Sequence, residues 1–224
     1  LMGSFPNCLG AKLEAAQAND KPGETRLART LKFYYDTGSP YSYLADTQIE
    51  AIVKRAGASR ARKPMLLGGV FKATGNASPM TVEAKSKWSA FDMPMWARHY
   101  GVPFQRNPFF PVNTLALMRG AAAAQIDGTF ERYHPAIYKA MWVDGRNLND
   151  MAEVAAVLGE AGLDARKLGN RIQDQDVKDR LKGTTDEAVA HGVFGAPTSF
   201  VDDMMFFGND RLPFVEMALK GDLK

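Results

Sequence analysis

Strand-like apolar runs occur only near the two ends of this chain, and that uneven distribution is its most constraining feature. Between about residue 78 and residue 190 helical patterns follow one another without a strand-like run. At the front, Leu31-Lys32-Phe33-Tyr34-Tyr35-Asp36 has the aromatic composition of a β-strand. Thr37-Gly38-Ser39-Pro40 then turns into a helix, with Ser39 suited to the N-cap and Pro40 to the first helical position. Tyr43, Leu44, Thr47, Ile49, Ile52 and Val53 carry the helical apolar pattern on to Gly57. A second apolar run, Pro64 to Phe71, reads as a strand leading into a glycine-bearing turn. The Arg-rich residues 58–63 leave the start of that strand open.

The helical patterns cover Val82 to Tyr100, Asn113 to Gln125, Phe130 to Met141, Met151 to Ala161 and Asn170 to Ala190. Pro103, Pro108 and Pro111 punctuate one long loop between the first two. At the back, Phe194 to Val201 and Met204 to Phe207 read as two short strands joined by a turn at Asp202-Asp203. A last helix begins at Gly208-Asn209-Asp210-Arg211. The order is β–α–β, a helical block, then β–β–α, so an α/β fold is expected. Residues 31–77 and 191–224 would form one unit, with 78–190 inserted as a helical domain. Residues 1–30 read as a poorly structured leader, and Leu1-Met2-Gly3-Ser4 as a cloning remnant or an unusual start.

Composition narrows the chemistry. Cys8 is the only cysteine in 224 residues, so neither an internal disulfide nor a C-x-x-C redox pair is available. The formal charge is +3, and no cationic run exceeds Arg60, Arg62 and Lys63, which argues against a nucleic-acid binder. Without a membrane-length apolar run or a signal-peptide layout, a cytoplasmic protein is expected. His99, His134 and His191 lack metal-ligand spacing, so no metal site is expected. No nucleophile elbow or phosphate-binding glycine fingerprint is present.

Four segments in order carry a family resemblance. They are Phe33 to Leu44, Leu67 to Asn76, Phe194-Gly195-Ala196-Pro197-Thr198 and Phe207 to Leu212. Together they resemble the 2-hydroxychromene-2-carboxylate isomerase family, which belongs with the kappa-class glutathione transferases in the DsbA-like group. The resemblance spans roughly residues 31–219 and implies a thioredoxin-like fold with a large all-helical insertion. It also implies glutathione as cofactor, a homodimer, and a small aromatic carboxylate as substrate.

Each site residue has a plain structural reading beside its functional one. Ser39 is an N-cap, and it is also placed to donate a hydrogen bond to the sulfur of bound glutathione near a helix N-terminus, which favours a thiolate. Ser42, in the first helical turn, is a weaker candidate for the same task. Ala196-Pro197 is either an ordinary strand start or, as the resemblance implies, a cis peptide that lets the Ala196 N–H and C=O pair with the cysteinyl backbone. Asn209 and Asp210 cap the last helix or take the γ-glutamyl end. By resemblance, Asn76 and Lys85 contact glutathione. Lys72 is solvated or meets a substrate carboxylate. Trp88 and Phe109 belong to the core or line an apolar pocket for an aromatic substrate.

The resulting expectation is a glutathione-dependent isomerase of 2-hydroxychromene-2-carboxylate or a related aromatic catabolite, working through a transient glutathione adduct. A kappa-like glutathione transferase is the first alternative. A non-catalytic DsbA-like module that binds thiol peptides or proteins is the second.

Overall fold

The structure, a computed structural model, describes residues 28–223. Cys8 and most of the expected leader therefore lie outside the described residues. A four-stranded sheet has the order β2-β1-β3-β4. Strand β1 (Thr30–Tyr35) pairs in parallel with β2 (Ser59–Pro64) and antiparallel with β3 (Thr198–Val201), which continues into β4 (Met204–Phe207). Phe33, Tyr34 and Tyr35 are all fully buried. A central strand covered on both faces needs such a run of large apolar side chains. Asp202 holds a positive φ of 52° at the β3–β4 turn, a conformation Asp tolerates better than most residues.

The second strand lies earlier than the apolar run suggested. The polar segment Ser59–Pro64 forms β2, and Leu67–Thr74 is a short helix, α2. The reason is visible in the charges. The Arg62 Nε lies 2.6 Å from Asp46 and its terminal nitrogen 3.0 Å from Glu50, while Lys63 reaches Glu187 at 3.2 Å. Basic side chains on an edge strand lay their stems along the sheet and pair their heads, so charge there does not exclude a strand.

Helix α1 (Pro40–Ala56) crosses from the Ser39 turn to Gly57, which ends it with φ 59°. The helical block holds α3 (Glu83–Tyr100), α4 (Leu115–Ile126), α5 (Phe130–Trp142), α6 (Met151–Glu160), α7 (Ala165–Arg171) and α8 (Gln175–Ala190). The single helix expected over 170–190 is thus two. Asp174 takes an extended conformation between them, and Arg171 binds Asp127, Asp174 and Asp176 across the break. Neither Gly nor Pro marks that corner in the sequence. A 3₁₀ turn, Asn209–Arg211, leads into α9 (Leu212–Lys220).

One apolar cluster runs from Leu31, Phe33 and Tyr35 of β1 through α1 into α4, α5 and α6, where Met141 and Trp142 are buried. A second, smaller cluster joins Tyr34, Met65, Val70, Ala188, Val193 and Phe200 on the other side of the sheet's β1 strand. Among the described residues, no helix is long and apolar enough to cross a membrane.

Candidate functional site

The turn at the end of β1 is organised by Asp36, only 1% exposed. One carboxylate oxygen accepts from the Gly38 N–H at 2.9 Å. The other accepts from the Leu67 N–H at 2.8 Å and the Thr114 hydroxyl at 3.1 Å. One side chain thus ties the turn to the starts of α2 and α4. Burial pushes the Asp36 carboxyl above its ordinary range, against the pull of the Leu67 and Gly38 amides and the Thr114 hydroxyl. Gly38 is required by close approach, because a Cβ there would lie 2.9 Å from Thr114 Cγ2.

Ser39 follows as the N-cap of α1. Its hydroxyl oxygen accepts from the Ser42 N–H at 3.2 Å and its proton points to the Ala196 carbonyl, 3.1 Å away. The Ala196-Pro197 bond is cis. No acceptor is found for the Ala196 N–H among the described residues. Ser42 is fully buried, and its hydroxyl has no partner among the described residues. Trp142 closes the turn from below, donating its indole N–H to the Thr37 carbonyl at 2.8 Å.

A cavity of about 810 Å³ opens above this junction, and Ser39, Ala196 and Pro197 form part of its wall. The expected residues Asn76, Lys85, Trp88, Asn209 and Asp210 line it too. Asn76 donates its amide N–H to the Phe194 carbonyl at 2.8 Å, which fastens the segment after α2 to the approach to Ala196. The Asn209 side chain is buried, 3.4 Å from the Tyr100 hydroxyl, and Tyr100 donates to the Asn209 carbonyl at 2.9 Å. Asp210 is half exposed and 2.8 Å from Arg211. Gly208 precedes them with φ 100°, and a Cβ on it would stand 2.5 Å from the Asp210 carboxylate.

Two expected residues stand elsewhere. Lys72 is exposed and is not part of the cavity wall; its neighbour Phe71 is. One step around a helix is about 100°, so Phe71 facing the cavity turns Lys72 away. Phe109 is likewise outside the wall and 47% exposed, while Phe110 faces in and packs on Trp142. Both phenylalanines lie in the proline-punctuated loop, where the Phe110-Pro111 bond is cis.

The sequence reading also passed over Asp92, 6% exposed in the cavity wall, which accepts from the Tyr41 hydroxyl at 2.8 Å. Burial, then the Asp92 carboxylate, pushes the Tyr41 hydroxyl upward. The one available signal was an acid within an otherwise apolar helical stripe beside Met93 and Trp96.

This architecture has counterparts. A family model described as a DSBA-like thioredoxin domain matches residues 30–220. A 2-hydroxychromene-2-carboxylate isomerase from Sphingobium xenophagum is 32% identical over 197 residues, 86% of this chain and 99% of that protein. Human glutathione S-transferase kappa 1 is 27% identical over 207 residues, 86% of this chain and 92% of that one. The solved structure of a 2-hydroxychromene-2-carboxylate isomerase matches with a TM-score of 0.75 and 27% identity, over 85% of this chain and 94% of that one. The chain belongs to the DSBA-like thioredoxin domain family, within the group that holds the 2-hydroxychromene-2-carboxylate isomerases.

Proposed function

We propose that the protein is a glutathione-dependent isomerase of 2-hydroxychromene-2-carboxylate or a closely related aromatic compound. One observation carries this reading. A serine hydroxyl at the start of a long helix meets the carbonyl before a cis proline, on the wall of an 810 Å³ cavity.

The wall chemistry fits glutathione. Ala196 offers a carbonyl and an N–H that an extended peptide can pair with, as an added strand does. Asp210 offers a carboxylate to the γ-glutamyl ammonium, the Asn209–Arg211 turn offers amides to its carboxylate, and Lys85 offers a cation to the glycyl carboxylate. Asn76 holds the wall between them. Bound glutathione would supply the thiol nucleophile that the chain itself lacks at this turn.

The protein's share follows from the hydrogen bonds. The Ser39 hydroxyl has one proton, now on the Ala196 carbonyl. A ligand N–H that takes over that carbonyl leaves the proton free to turn toward a sulfur. The α1 N-terminus adds its partial positive charge to the same place, which favours a thiolate. Trp88, Trp96 and Phe110 give the remaining cavity an aromatic lining suited to a flat substrate.

The experiment is direct: follow isomerisation by absorbance with purified protein, with and without glutathione. Activity that depends on glutathione supports the reading; no glutathione binding by calorimetry sinks it. The 27% identity to a kappa transferase supports a second reading, release of a stable conjugate. A conjugation assay with a generic electrophile, run in parallel, separates the two. A cytoplasmic homodimer, with 31–77 and 191–224 as the thioredoxin-like unit and 78–190 as the inserted helical domain, completes the proposal; sedimentation tests the dimer.

A further inference from the structure

Lys72 was the expected partner of a substrate carboxylate, yet it faces away from the cavity. A different cation stands in the wall. Arg106, in the loop between α3 and α4, lines the cavity and has no hydrogen-bond or ion-pair partner among the described residues. The two cavity-wall carboxylates are already engaged, Asp92 by Tyr41 and Asp210 by Arg211.

The loop under Arg106 is fixed on both sides. The Gln105 N–H donates to the Trp142 carbonyl at 2.7 Å. Asn107, 2% exposed, sends its amide N–H groups to the Met141 carbonyl at 3.0 Å and the Arg146 carbonyl at 2.8 Å. Upstream, the Tyr43 hydroxyl donates to the Pro103 carbonyl at 2.6 Å. Trp142, which anchors Gln105, is the residue whose indole bonds Thr37 of the Ser39 turn. Two hydrogen bonds and one aromatic side chain thus link the backbone beside Arg106 to the catalytic turn. The Arg106 side chain is exposed on that fixed backbone, so it can turn to a ligand, and its planar fork suits a carboxylate.

We propose that Arg106 is the specificity residue of this site, binding the carboxylate of an aromatic substrate against the Phe110 and Trp142 side of the cavity. This deepens the isomerase reading and rests on it. With Lys85 and Asp210 assigned to the two ends of glutathione, Arg106 is the cavity-wall cation left to meet an acidic substrate. A cation beside apolar walls gains strength as the ligand displaces water. Because the carboxylate does not change during isomerisation, its binding is uniform and falls on KM.

The test compares wild type, Arg106→Met and Arg106→Lys on an aromatic carboxylate and its methyl ester. Binding of both is measured by tryptophan fluorescence, and glutathione binding separately by calorimetry. Arg106→Met should weaken the carboxylate by about 10- to 100-fold, the range for a charge-assisted pair. The ester should shift far less, so the acid-over-ester preference should collapse, and Arg106→Lys should restore part of it. In turnover the loss should appear as a raised KM. An unchanged preference in Arg106→Met, or an equal loss for acid and ester, overturns the assignment. Failure of wild type to bind glutathione overturns the isomerase reading instead, and the acid-over-ester comparison still decides the role of Arg106.

Discussion

Replacing Ser39 by alanine separates two roles that the structure superimposes on one hydroxyl. As an N-cap it accepts from the Ser42 N–H at 3.2 Å, and losing such a cap costs about 1 kcal/mol. For a chain of this size that lowers the melting temperature by roughly 2–4 °C. Its second contact, to the Ala196 carbonyl at 3.1 Å, is what the proposed function exchanges for a bond to sulfur. Bonds to charged groups contribute about 1.5–3 kcal/mol, but this one replaces an existing bond, so the lower end applies. Since about 1.4 kcal/mol is one pKa unit, the thiol of bound glutathione should titrate about one unit higher in Ser39→Ala. Its kcat/KM near neutral pH should fall about tenfold, and the α1 N-terminus should still supply part of the stabilisation. The assay is a pH titration of thiolate ultraviolet absorbance in the glutathione complex, beside a thermal melt and a pH–rate profile. A lower melting temperature with an unmoved thiol titration would refute the catalytic assignment and leave Ser39 as a cap.

Other substitutions probe the frame around it. Asp36→Asn puts an amide N–H where a carboxylate oxygen faces a donor, and should cost about 1–3 kcal/mol, seen as an earlier urea midpoint. Because burial raises the Asp36 carboxyl, its contribution to stability is fully present below the ordinary aspartate range and is lost as pH rises through the elevated value. The Asn variant should lack that decline, which urea melts across acidic pH will show. Asp46 has the opposite sign. Burial opposes ionisation, but His134 at 3.0 Å and Arg62 at 2.6 Å outweigh it and lower its carboxyl. Its stabilisation is therefore present above the ordinary range and lost as pH falls, and Asp46→Asn should flatten the acid limb of a pH–stability curve. Gly208→Ala adds a Cβ 2.5 Å from the Asp210 carboxylate at φ 100° and should weaken glutathione several-fold by calorimetry, with the fold retained by circular dichroism.

Much of the fold could be read before the structure, because strand and helix periodicities differ and Ser39-Pro40 and Gly57 are explicit boundary signals. β2 escaped because Arg60, Arg62 and Lys63 look like loop residues until Asp46, Glu50 and Glu187 are brought in from elsewhere in the chain. Five of the expected wall residues, Asn76, Lys85, Trp88, Asn209 and Asp210, reached the cavity because they sit within or just after recognisable segments. Asp36, Asp92 and Arg106 were passed over for one shared reason. Burial of an acid, or the orientation of a loop arginine, depends on partners such as Leu67, Tyr41 and Trp142 that local sequence does not reveal.

The pairing of Tyr34 with Thr198 has a consequence for biosynthesis. Both halves of the Ser39–Ala196 junction must be synthesised before the groove exists, with the whole helical block made in between. During translation the groove between them therefore cannot form until the chain has been made through Thr198. A chain cut within the helical block has the Ser39 turn but not the cis-proline strand that faces it.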